Sequence, residues 1–170
     1  MAKDKYLTYG IFALLIIGII FIASCVQQTS KPNKELSVSY HYTTEGSSYD
    51  AQIKGSKIIF THTNYEKIKE KCAQWIQQSP CWTQQDLITE EAQLSNQEIT
   101  DLNNLIEETK IMQLENYYGP EKGARCYSYT LKIDDKEIIY CSRPDGPSQP
   151  EAFTKVSEKI QEIVTKKFSK

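Results

Sequence analysis

Five cysteines and two histidines are the residues best suited to carry chemistry. Cys25 stands apart, at the end of an apolar run. Cys72, Cys81, Cys126 and Cys141 fall in the rest of the chain. Four thiols in one domain serve as metal ligands, as nucleophiles or as two disulfides, and four allow three pairings. The spacings Cys-x8-Cys and Cys-x14-Cys lack the short Cys-x2–4-Cys knuckle of zinc sites. Disulfides are therefore expected, paired Cys72–Cys81 and Cys126–Cys141. The first would tie the end of a helix to the chain just past Pro80, worth about 2–3 kcal/mol in the loop-entropy model. Bridged thiols are not available as nucleophiles.

His41 and His62 each fall in a strand on the side that reads polar, with no acid or ligand motif beside them. Surface strand residues are the plainer reading. Glu90-Glu91 and Glu107-Glu108 read as solvated helix faces. No serine sits in a nucleophile elbow, and no glycine-rich phosphate loop is present. The expectation is a protein with no catalytic site, no cofactor and no metal. An enzyme whose residues converge from distant positions is the alternative. The net charge of −2 offers no basic patch for phosphates, so nucleic acid is not an expected partner.

Aromatic residues in irregular segments form a second group. Trp75 and Trp82 flank the first cysteine pair, and Tyr117-Tyr118 sit in a Gly/Pro loop. Such residues are enriched at contact surfaces, which makes these four the candidate binding surface. Packing in the core of a small domain is the alternative. The eleven tyrosines by themselves suit half-buried strands and contact surfaces alike.

The elements that would position these residues begin after a leader. Lys3 and Lys5 precede an apolar run over 11–24, which ends in small residues before Cys25. That order describes an export signal. Ile22-Ala23-Ser24-Cys25 resembles the lipobox of bacterial-type lipoproteins. The resemblance implies lipidation at Cys25 and cleavage that makes it the new N-terminus. The alternative is an uncleaved transmembrane anchor, since residues 7–26 match the roughly 20 residues a spanning helix needs. Both readings place the remainder at the extracytoplasmic face of a membrane. Residues 26–35 are polar and contain Pro32, as a flexible tether would. The division is then a 1–25 leader or anchor, a 26–35 tether and one domain over 36–170.

Period-2 alternation predicts strands over 36–43, 49–54 and 57–63, with a turn at Lys54-Gly55-Ser56. Asn64 caps a predicted helix with Tyr65, Ile68, Cys72, Trp75 and Ile76 on one face, ended by Ser79-Pro80. Residues 81–94 read as irregular. Ser95-Asn96-Gln97-Glu98 is a capping box ahead of Ile99, Leu102, Leu105 and Ile106. A loop over 115–125 leads to a hairpin, 127–133 and 137–141, turning at Asp134-Asp135. A last helix carries Phe153, Val156, Ile160, Ile163 and Val164. The order β-β-β-α-α-β-β-α predicts an α+β fold: an antiparallel sheet of about five strands with helices on one face.

The hairpin constrains its own disulfide. A two-residue turn pairs Ser128 with Cys141 and leaves Cys126 one diagonal step away, about 7–8 Å. A relaxed bridge needs less. The expected bridge therefore predicts a four-residue loop or a bulge.

The second half resembles a known family. Leu94-Ser95-Asn96-Gln97-Glu98-Ile99, then Leu102, Leu105, Gln113-Leu114, Tyr118-Gly119-Pro120, the run from Tyr127 to Asp134, and Pro150 follow its order. The chain looks like emfourin-type domains, small exported inhibitors of thermolysin-type metalloproteases. The likeness covers 94–168 well and 36–63 loosely. It departs at 64–94, which reads as an insertion, and at the hairpin cysteines. It implies a peptidase as protein partner and carries over no inhibitory residue. The function expected is a membrane-anchored lipoprotein with a non-enzymatic protein-binding domain. A structural or accessory envelope protein is the alternative.

Overall fold

The computed structural model describes residues 35–76, 79–121 and 124–169. The expected leader, Cys25 and the expected tether up to residue 34 lie outside them. Seven strands form one sheet in the order β4-β3-β2-β1-β6-β7-β5. They are β1 (Ser37–Thr43), β2 (Ser48–Lys54), β3 (Lys57–Thr63), β4 (Leu87–Gln93), β5 (Tyr117–Tyr118), β6 (Tyr127–Ile133) and β7 (Lys136–Ser142). Among the described residues three α-helices complete the fold: α1 (Tyr65–Ala73), α2 (Asn96–Glu108) and α3 (Glu151–Phe168).

The fold is α+β as expected, but the sheet has two strands more and is mixed. Every neighbouring pair is antiparallel except β5 and β7, which run parallel. β4 replaces a stretch expected to be irregular. Its Glu90 and Glu91 stand on an edge strand, not on a helix face, and their low strand propensity hid it. Glu107 and Glu108 do lie exposed on α2. β5 is only two residues long, too short to leave an alternation signal.

Alternation places the core. Val38 and Tyr40, Ala51 and Ile53, Ile58 and Phe60, Leu131 and Ile133, and Ile138 and Tyr140 share one face of the sheet. Against that face pack Leu102 and Ile106 of α2 and Phe153, Val156, Ile160, Ile163 and Val164 of α3. These are the apolar faces that helical spacing marks in the sequence. The opposite face carries Ser39, His41, Asp50, Gln52, Thr61 and Thr130. His41 is therefore on the polar face, as expected. His62 is not: it pairs with Tyr49 and stacks on Phe60, on the helix side.

α1 is shorter than the expected helix. It ends at Ala73, capped at Gln74, and buries only Ile68 among its residues. The apolar spacing of Trp75 and Ile76 does not prolong it, because no core faces them: Ile76 is 94% exposed. Among the described residues no helix is long and apolar enough to cross a membrane.

Both disulfides form with the expected pairing. The second corrects the hairpin argument. The turn has two residues, Asp134 and Asp135, and Ser128 faces Cys141. Cys126 precedes the first paired residue, Tyr127, so it is free of the ladder. It closes on Cys141 with Cα atoms 5.4 Å apart, and neither a longer loop nor a bulge is needed.

Candidate binding surface

One end of the sheet gathers most of what the sequence marked. The β1–β2 turn, Thr44 to Ser47, is fixed by Thr44 Oγ1, which accepts from the Ser47 amide at 3.0 Å. Two other segments dock on it. The amide of Cys81 donates to the Glu45 carbonyl at 2.8 Å, and Trp82 Nε1 donates to the Thr44 carbonyl at 3.1 Å. On the other side the Glu45 carboxylate meets the Tyr127 hydroxyl, which raises the pKa of that phenol. The turn thus joins the loop closed by Cys72–Cys81 to the strand start held by Cys126–Cys141.

The 79–86 loop is braced further. Thr83 and Asp86 form a reciprocal cap, and Lys71 of α1 donates to Asp86 at 2.8 Å. The Lys71 ammonium and the Thr83 backbone hold the Asp86 carboxyl down to about 2. The Trp75 indole donates to the Ser79 carbonyl inside the disulfide loop.

This end is where large apolar groups reach solvent. Among the described residues the exposed ones are Tyr65 at 71%, Trp75 at 37%, Ile76 at 94%, Tyr127 at 45% and Met112 at 46%. All but Met112 belong to α1, its disulfide loop or the start of β6. Beneath them lies a run of rings on the helix side of the sheet. Tyr42 stacks on Tyr49 at 5.1 Å and meets Tyr129 at 5.4 Å, and Tyr49 meets Phe60 at 4.8 Å. Burial, first among the causes, pushes the hydroxyls of Tyr40, Tyr42 and Tyr49 up, so they stay protonated donors across ordinary pH.

Three recesses open on this region. The largest, about 690 Å3, is lined by Glu45, Arg125, Cys126, Tyr127, Arg143 and Pro144 among others. It holds both arginines of the chain. Asp145 grips Arg143 through Nε and Nη2 at 2.9 and 3.0 Å, which fixes the guanidinium plane. Recesses of about 220 and 300 Å3 share Tyr49, Phe60 and His62. His62 Nε2 lies 3.4 Å from Glu90. The pair sits beside rings, among Ser, Thr and Tyr hydroxyls that line the two recesses.

The four aromatic candidates divide. Trp75 is exposed and Trp82 half-buried at this end. Tyr117 and Tyr118 are not an exposed loop. They form β5, half-buried, and Tyr118 packs on the core. Tyr117 donates to the Pro120 carbonyl and the Tyr118 hydroxyl accepts from the Glu115 amide, both at 2.9 Å. Parallel pairing with β7 takes up these two residues. Gly119 then lies so close to the second disulfide that a Cβ there would meet Cys141 Cβ at 2.5 Å. Sequence reasoning passed over Tyr65, Ile76 and Tyr127 as surface residues. Tyr127 had a signal: it is the first of an alternating tyrosine pair next to a cysteine. No group of three His, Cys, Asp or Glu side chains among the described residues is placed to hold a metal.

No protein-family model matches the chain, and no curated protein matches it significantly.

Proposed function

We propose that this chain is an extracytoplasmic lipoprotein, anchored through Cys25, whose domain binds another protein at the aromatic end of its sheet. The observation that carries the reading is the gathering of Tyr65, Trp75, Ile76 and Tyr127 in solvent around a turn braced by both disulfides. Exposed apolar residues on a rigid frame lose little freedom on association, which favours a contact surface. Two disulfides fit an oxidising compartment, consistent with export. The lipobox-like Ile22-Ala23-Ser24-Cys25 supports the anchor. The resemblance of 94–168 to emfourin-type domains supports a peptidase as the partner class and a non-enzymatic role.

Two experiments separate these claims. Fatty-acid labelling of cells expressing the chain should mark it, and Cys25→Ser should abolish the label. An unlabelled parent would remove the lipid anchor. For partner class, the full-length protein in mild detergent is titrated against a thermolysin-type metalloprotease. Stoichiometric inhibition that weakens at least tenfold in Tyr127→Ala and Ile76→Asp is the expected result. Cleavage of the domain, or no effect at excess, would eliminate that peptidase class.

A further inference from the structure

A second surface, separate from the aromatic end, lies along β4. Among the described residues it is the last strand on its side of the sheet. Its main-chain phase follows from two flanking bonds: Leu94 N–H donates to Ser56 O at 2.7 Å, and Asn64 N–H donates to Asp86 O at 2.8 Å. In an antiparallel pair alternate residues exchange both bonds with their partner. Ile88, Glu90 and Ala92 therefore turn their main-chain groups to β3. Thr89, Glu91 and Gln93 turn theirs away from it, and all three residues are exposed. The amide of Leu87 is already used, donating to Gln84 O.

Three residues with outward N–H and C=O groups are a template for another strand. Charge decides which strand. Glu90 and Glu91 are adjacent on this edge, one to each face of the sheet; Glu91 pairs with Lys57 at 2.8 Å and Glu90 lies 3.4 Å from His62, and both carboxylates still reach solvent. Full-length antiparallel pairing of two copies would set Glu90 against Glu90 of the second copy. Like charges directly opposite are destabilising, so a second copy is rejected. A strand with lysine or arginine at these positions meets a carboxylate on each face, Glu90 on one and, shared with Lys57, Glu91 on the other. The opposite edge offers no equivalent, because β5 has two residues. We infer that β4 accepts an extended basic segment of a partner protein as an eighth strand, by main-chain pairing, with Glu90 and Glu91 selecting its charge.

The test uses the full-length protein in mild detergent and two nine-residue peptides, acetylated and amidated. One alternates lysine with valine and threonine; the other has glutamate for lysine. The lysine peptide should slow hydrogen exchange at the Thr89 and Glu91 amides and bind at least tenfold tighter than the glutamate peptide. Glu91→Pro removes an outward N–H, which an edge strand tolerates, along with the carboxylate that Glu91→Lys tests separately. It should keep the far-ultraviolet spectrum and lose the protection. Glu91→Lys, which leaves the backbone intact, should shrink or reverse the preference between the peptides. Protection elsewhere on the domain, protection that survives Glu91→Pro, no protection at millimolar peptide, or dimers of the free protein paired through β4 would each overturn the inference.

Discussion

Glu98 ties two helices together with one carboxylate. It is the third residue of α2 and accepts from the Ser95 amide at 2.7 Å and hydroxyl at 3.0 Å. Lys166 and Lys167 of α3 each reach it at 2.9 Å. The Ser95 backbone bond first, then the lysines, holds its pKa well below the usual glutamate value of 4.5. A folded-state pKa that is depressed gives stability that is complete above 4.5 and is lost as pH falls below it. Glu98→Gln should therefore be less stable than the parent at neutral pH, and the gap should close on acidification. Urea midpoints of both proteins between neutral and acid pH would check this. A constant gap would mean the charge is irrelevant. Ser95→Ala should cost about 1 kcal/mol through the lost cap. The cap was legible because its two partners are three residues apart. The lysines were not, since helical spacing says nothing of where α3 ends against α2.

At the scale of elements, helix ends and loop closures carry the testable content. Lys110 follows α2 in the left-handed region, φ +52°. Glycine adopts that conformation without strain. Lys110→Gly should raise stability by about 0.5–1 kcal/mol, the roughly 1–2 kcal/mol of relieved left-handed strain less the roughly 0.4–1 kcal/mol entropic cost of glycine, seen as a higher midpoint at unchanged slope. Opening the smaller disulfide with Cys72→Ser and Cys81→Ser should cost about 2–3 kcal/mol. It should also change the emission of Trp75 and Trp82 while the sheet spectrum persists. Loss of the sheet would mean that the loop supports the core. β1, β2, β3, β6, β7 and the last two helices were legible because each has one buried face and a clean period. β4 was not, since an edge strand is half solvated and its two glutamates mimic a helix surface. Trp75 and Ile76 misled in the other direction: their spacing is helical, yet the loop closes back through Cys81 before they find a core. The aromatic end itself was only half readable, because Tyr127 and Tyr65 join it through the β1–β2 turn and not through sequence.

At the scale of the whole molecule, the sheet is built outward from its centre. β1 has three strands on each side and pairs with β2 and β6. Amide exchange should be slowest in β1, β2 and β6 and fastest in β4 and β5; uniform protection across the seven strands would contradict a graded sheet. β1 also runs from Ser37 at one end of the sheet to Thr43 beside the aromatic end. Seven residues at about 3.3 Å each put some 20 Å between them. A pull applied between Glu35 and Glu45 acts along the length of that middle strand. The bonds to β2 and β6 then bear the force side by side, all at once, instead of parting one after another like a zipper. Such a domain would stay folded under tugging that peels apart a sheet gripped at its rim.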